Sequence, residues 1–140
     1  MKFNVTPLIG IDEIQFGMSL NDARNAINSS YKSFKRTPNA AHPCDFYENI
    51  GLFVYYDSSS TVEALEFCEP AQLNFKGIDL ITSSFEDIVK LLKSLDNVIE
   101  LEGESFTSYS LGFGGYAPDL DEDPNSVCES VILFKDGYYD

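Results

Sequence analysis

A chain of 140 residues with 44% apolar side chains, eleven Phe and eight Tyr among them, is long enough to bury one core unaided and too rich in core material for a disordered acidic chain. Its formal charge of −14 repels phosphate, so nucleic acid and anionic membrane are poor partners and a basic protein is a good one. No stretch approaches the roughly 18 uncharged apolar residues of a membrane span, and the opening Met1-Lys2-Phe3-Asn4, then Val5, Thr6 and Pro7, shows no signal peptide.

In chain order, Ile11 to Met18 reads as a short extended segment closing at Gly17. Ser19 is placed as a helix N-cap with Asp22 three residues on, where a carboxylate faces the exposed amides of a first turn. Leu20, Ala23 and Ile27 fall at helical spacing and predict a first helix from Leu20 to Asn28. Ser29 to Asn49, punctuated by Thr37-Pro38-Asn39 and His42-Pro43-Cys44, reads as an irregular connection. Leu52 to Tyr56 and Thr61 to Phe67 predict an antiparallel hairpin around Asp57-Ser58-Ser59-Ser60. Its second strand places Leu65 and Phe67 on one face, Val62 and Ala64 on the other.

Leu73-Asn74-Phe75 alternates as a third strand would. Ser83 and Glu86 match the reciprocal S-x-x-E cap. Phe85, Ile88, Val89, Leu92 and Leu95 then build one broad apolar face, predicting a second helix that ends near Asp96-Asn97. Strand patterning resumes over Val98–Glu102, Ser105–Phe113 and Val127–Phe134, with Gly112, Gly114 and Gly115 as a kink or bulge and Asp136-Gly137 as a turn. The order predicts one α+β domain over residues 1–140, an antiparallel sheet covered on one face by two helices.

Charge divides the chain. Residues 1–50 balance five acids (Asp12, Glu13, Asp22, Asp45, Glu48) with five bases (Lys2, Arg24, Lys32, Lys35, Arg36). Residues 51–140 set eighteen acids against four bases (Lys76, Lys90, Lys93, Lys135) and hold the whole surplus. Asp119, Asp121, Glu122 and Asp123 form an acidic loop whose mutual repulsion falls when a cationic surface arrives. It is no EF-hand: Pro124 stands where the turn glycine belongs and Ser130 where the closing Glu belongs. Glu100, Glu102 and Glu104 alternate onto one strand face and extend the same patch, with Tyr109 and Tyr116 as aromatic anchors beside it.

Catalytic and metal signatures are weak. Cys44, Cys68 and Cys128 are odd in number and scattered, which suits buried thiols in a reducing cytoplasm. His42 and Cys44 are i, i+2 neighbours and do not meet as base and nucleophile on a strand. One His and three dispersed Cys give no metal-ligand spacing. Gly112-Phe113-Gly114-Gly115-Tyr116 runs into no helix with a Lys, so it is no phosphate cradle. No cofactor is expected.

Gly10-Ile11-Asp12-Glu13-Ile14-Gln15-Phe16-Gly17-Met18-Ser19 and the helix after it resemble a start shared by small bacterial α+β domains, among them the outer-membrane assembly lipoproteins with a helix-helix-strand-strand-strand plan. This chain departs from them in having no lipobox cysteine and far more acid. In size, acidity and lack of a catalytic set, the whole chain is similar to the cognate immunity proteins of bacterial polymorphic and contact-dependent inhibition toxins. That likeness implies a cytoplasmic, non-enzymatic inhibitor occluding the active site or substrate surface of a basic nuclease-type toxin domain, and it transfers no site residue. The alternatives are an envelope-associated assembly domain of the lipoprotein kind, and an enzyme using Cys44 or the pair Glu66 and Glu69. The expected assembly is a monomer or weak homodimer, since exposed strand edges permit pairing.

Overall fold

The computed structural model describes residues 1–35 and 43–139. Along the chain run β1 (Lys2–Thr6), β2 (Gly10–Ile11), α1 (Leu20–Ile27), β3 (Lys32–Lys35), β4 (Pro43–Tyr47), β5 (Leu52–Tyr56), β6 (Val62–Phe67), β7 (Gln72–Phe75), β8 (Ile78–Asp79), α2 (Phe85–Leu95), β9 (Glu100–Glu102), β10 (Ser105–Ser108), β11 (Phe113–Tyr116) and β12 (Ser130–Phe134). The strands form two sheets, an eight-stranded one in the order β3-β4-β5-β6-β12-β11-β10-β9 and a four-stranded one in the order β2-β1-β7-β8. No described helix is long and apolar enough to cross a membrane.

This corrects the expected α+β plan. Strand accounts for 41% and helix for 17%, and the layer over the large sheet is mainly the second sheet, with short helices beside it. Phe3 on β1 meets Phe67 on β6 at 5.4 Å between ring centroids, and Phe75 on β7 meets Phe113 on β11 at 4.9 Å. α2 covers the β10 side, where Phe85 packs edge-on against Phe106 at 5.4 Å. α1 covers the β4 side through Arg24, which reaches Asp45. The buried residues of both helices and of β1 and β7 join one core with the inward side chains of the large sheet.

The helices follow their local signals with one shift. Ser19 caps α1 by accepting the Asp22 amide at 3.1 Å, and Asn28 closes it in the left-handed region at φ 50°. The cap of α2 is Ser84 and not the expected Ser83: its hydroxyl accepts the Asp87 amide at 3.1 Å. Ser84 is held extended by a bridge to Val127, and the Phe85 amide bonds the Ser126 carbonyl, so the helix begins one residue late.

The predicted hairpin is β5 and β6, with a register shift at Tyr55/Tyr56 that leaves Glu63 without an opposite residue. That bulge turns Val62 inward beside Leu65 and Phe67 in the main core and leaves Ala64 alone on the outer side. The stretch expected to be irregular contains β3 and β4. The predicted Ser105–Phe113 strand is two strands, β10 and β11, separated by a turn at Gly112 (φ +74°). Gly114 and Gly115 lie inside β11 and do not interrupt it; a Cβ on Gly115 would stand 2.2 Å from Cε1 of Phe106, so the ring occupies the space a side chain would need.

Candidate functional site

Alternate residues of a strand face opposite sides, so the large sheet has an inner face on the core and an outer face that neither helix covers. The pairings Phe46↔Phe53, Phe53↔Glu66, Glu66↔Ile132, Ile132↔Gly114, Gly114↔Thr107 and Thr107↔Glu100 run as one row across the outer face. Aromatic rings cover one side of it: Phe53 stacks on Phe46 at 4.1 Å and lies near parallel to Tyr55 at 6.3 Å. A second cluster forms where the C-terminal turn folds back, with Tyr139 edge-on to Phe134 at 4.9 Å and to Tyr109 at 5.8 Å. In the middle, the Tyr55 hydroxyl donates a hydrogen bond to Oε1 of Glu66.

The inner face holds a closed polar network. Asp45 is fully buried and accepts Nε and Nη2 of Arg24, both at 2.8 Å, and the Tyr56 hydroxyl at 2.9 Å. The Arg24 guanidinium lies 4.7 Å from the ring centre of Tyr31. The Asp45 hydrogen bond holds the Arg24 pKa above its ordinary value, and burial, then the bond to Asp45, raises that of Tyr56. Burial also pushes the neighbouring Tyr47 hydroxyl up to about 12.

At one end of the two sheets lies an open groove of about 760 Å³. The cis Glu69-Pro70 bend, Asp79 and the loop from Pro118 to Glu129 border it, and among its described lining residues Glu69, Asp79, Asp119 and Glu129 are acidic and none is basic. Asp79 is spent on structure, accepting the Leu73 amide at 3.2 Å and the Ile81 amide at 2.9 Å. Among the described residues the ion pairs are Arg24–Asp45 and Lys135–Asp57, and neither touches the groove. Cys68 and Cys128 line its floor. Burial, then Glu66, Glu129 and Glu69, raises the Cys68 thiol above its ordinary value, and burial pushes Cys128 up to about 11. Both thiols are therefore protonated near neutral pH, which is poor poise for a nucleophile.

The structure gathers most of the sequence-predicted partner residues at this end. Ser105 pairs with both Glu102 and Tyr116, and the Ala117 amide bonds the Glu104 carbonyl, so Glu102, Glu104, Tyr116 and the start of the acidic loop adjoin. Asp119 accepts the amides of Glu122 and Asp123 through its carbonyl, folding Asp119, Asp121, Glu122 and Asp123 into one exposed turn. Glu100 and Glu102 share a strand face, but Glu104 does not share it as expected, because the chain reverses at Gly103 (φ +57°). Tyr109 and Glu100 lie at the far end of β10, where burial, then the charge and hydrogen bond of Glu100, raises the Tyr109 pKa. Glu69 and Glu129 were missed as groove residues, their one sequence signal being the Glu-Pro break at Glu69.

Of the other sequence candidates, Cys44 is buried on the outer-face cluster and His42 lies outside the described residues. Of Glu66 and Glu69, the first stands on the outer face and the second borders the groove. Among the described residues no group of three or more His, Cys, Asp or Glu is arranged to hold a metal ion.

No protein-family model and no curated protein matches the chain. Its fold is similar to the crystal structure of the uncharacterized protein yfeY from Escherichia coli, with a TM-score of 0.58 and 12% identity over 96% of this chain and 100% of that one. At that identity the likeness is one of fold alone.

Proposed function

We propose that the chain is a binding protein for a cationic protein partner, docking through its acidic end, and more narrowly the cytoplasmic inhibitor of a basic toxin domain whose substrate surface it covers. The observation that carries this is the groove bordered by Glu69, Asp119 and Glu129, whose charge no described base neutralises. Carboxylates left without counter-charge beside a concave surface attract and orient a basic partner, speeding encounter and fixing register. The adjoining turn of Asp119, Asp121, Glu122 and Asp123 and the exposed Glu102 enlarge the same field.

The test is capture of the natural partner and comparison with the triple variant Glu69→Gln/Asp119→Asn/Glu129→Gln. Asp79 is left intact because it holds backbone amides. The expected partner is basic, its complex weakens steeply with added salt, and the triple variant binds at least about tenfold more weakly with its Tm unchanged. A partner of neutral or acidic charge, or a complex indifferent to salt and to the triple variant, overturns the reading. The narrower claim is read from growth: the wild-type chain protects cells expressing the partner domain and the triple variant does not.

A further inference from the structure

The outer face contains a second concavity, a basin of about 240 Å³ between the two aromatic clusters. Gly114, itself buried, lies among its lining residues, with Glu66, Ser105, Thr107, Ser130, Tyr116 and Tyr139 around it. Tyr116 and Tyr139 are 42% and 57% exposed, so part of each side chain reaches solvent beside the basin, with Tyr139 braced by Phe134 and Tyr109.

The carboxylate defines what fits. Glu66 is half-buried, its Oε1 is taken by the Tyr55 hydroxyl, and neither ion pair among the described residues involves it. A partly desolvated carboxylate held by a neutral donor gains most from a cation that also supplies hydrogen bonds. The rest of the basin offers three hydroxyls, on Ser105, Thr107 and Ser130, and two tyrosine rings. A guanidinium uses all of these at once, since it is planar, carries five N–H donors and stacks on aromatic faces, whereas an ammonium is a compact point charge with three donors. The volume accommodates one long side chain and no folded segment.

The geometry points to this basin as an arginine-anchoring pocket, in which one arginine side chain of the partner pairs with Glu66 and lies against Tyr116 and Tyr139, with its N–H groups on the surrounding hydroxyls. It is continuous with the acidic groove: Ser130 lines the basin and its neighbour Glu129 the groove, and the Glu129 amide bonds the Tyr116 carbonyl. The arginine is taken from the cationic partner proposed above, on which that part of the assignment rests; the pocket's preference for a guanidinium stands on the basin itself.

The experiment titrates the isotopically labelled full chain with acetyl-Gly-Arg-Gly-amide, alongside the lysine and citrulline counterparts, and follows backbone amide shifts by NMR. Expected are saturable shifts at Glu66, Thr107 and Gly114 with the arginine peptide, severalfold weaker binding of the lysine peptide and none of the uncharged citrulline peptide. Glu66→Gln keeps an acceptor for Tyr55 and weakens the arginine peptide about tenfold, and Tyr116→Ala, an exposed change, weakens it about threefold. The groove variant Glu69→Gln/Asp119→Asn/Glu129→Gln changes peptide affinity by less than about threefold. Equal binding of citrulline, indifference to Glu66→Gln, or no saturable shift at the basin up to on the order of 50 mM peptide overturns the pocket, and does so whether or not the groove captures a basic partner.

Discussion

Asp45 on β4 and Glu66 on β6 project from opposite faces of the same sheet, with only β5 between their strands. On the inner face, Asp45 has lost all contact with water and is met by a forked guanidinium and a tyrosine hydroxyl. On the outer face, Glu66 keeps part of its surface in water and, among the described residues, accepts the Tyr55 hydroxyl. The inner arrangement repays the desolvation of its carboxylate within the chain. The outer one leaves room for a donor from elsewhere, as do Glu69, Asp119 and Glu129 around the groove. The inner carboxylate is met by a cation within the chain, whereas Glu66, Glu69, Asp119 and Glu129 have no cationic counterpart among the described residues.

The largest difference between the faces should come from aromatic truncation. Phe67 is fully buried inward against Phe3, whereas Phe53 is half-buried outward in the stack with Phe46 and Tyr55. Phe67→Ala should cost about 4 kcal/mol, since both the transfer term and an unfilled cavity contribute. Phe53→Ala should cost about 1–2 kcal/mol, chiefly lost stacking and partial burial. Urea midpoints at constant m-value measure both. Equal costs would show the outer face to be as much a core as the inner one.

Next in size is the contrast between the two carboxylates. Arg24→Ala strands a fully buried Asp45 with one hydroxyl donor and should destabilise by about 3 kcal/mol, the low end for a broken buried pair because the Arg24 side chain is itself 24% exposed. Glu66→Gln should move stability by less than about 0.5 kcal/mol, as surface changes that keep a hydrogen bond do. A large loss for Glu66→Gln would recast it as a structural residue and remove the contrast.

Glycine sharpens the comparison further along β11, where neighbouring residues face opposite ways. Gly115→Ala drives a methyl to within 2.2 Å of Cε1 and 2.7 Å of Cζ of Phe106 and should cost about 2 kcal/mol by overpacking. Gly114→Ala brings a methyl to 3.0 Å from Cγ2 of Ile132 and to an ordinary 3.5 Å from the Phe106 carbonyl oxygen, on the side of the basin. Its cost should stay below about 1 kcal/mol, and any effect should appear as weaker binding of the arginine peptide.

Much of the local structure was legible in the sequence, while the layering was not. Ser19, the Leu20-Ala23-Ile27 stripe and the aromatic run of Leu52 to Tyr56 each declare their element through short-range chemistry, and the structure keeps them. β4 was invisible because Pro43 and Asp45 are poor strand formers, and only Arg24, twenty-one residues earlier, makes a buried Asp45 tolerable there. The four-stranded sheet was hidden for a related reason: β1 pairs in parallel with β7, at Phe3↔Leu73, so its existence depends on a contact seventy residues apart. The acidic loop could be read from its run of carboxylates, but the groove could not, because Glu69 and Glu129 come together only when β6 and β12 pair. Glu66 and Tyr116 each stand out in the sequence, but nothing there joins them into one basin, because its walls arrive from separate strands and the C-terminal turn.

The smallest expected effect concerns Asp57, where the hairpin between the two contrasted carboxylates turns back. Its side chain accepts the Ser59 amide at 2.9 Å, the Thr61 amide at 3.0 Å and the Thr61 hydroxyl at 2.7 Å, with Lys135 3.7 Å away. Burial alone would raise its pKa, but the Thr61 and Ser59 bonds and Lys135 outweigh it and hold the group below its ordinary 3.8. A carboxylate whose pKa is lower in the folded chain contributes stability above the unfolded value, and that contribution is lost as pH falls through the folded one. Asp57→Asn should therefore cost about 1 kcal/mol at neutral pH, and the difference from wild type should shrink toward zero as pH falls through the lowered folded value. Added salt should trim only the Lys135 share, because the three hydrogen bonds are local. Urea midpoints of the two proteins that stay equally far apart from pH 7 down to about pH 2 would show that the turn is held by shape alone, without the charge.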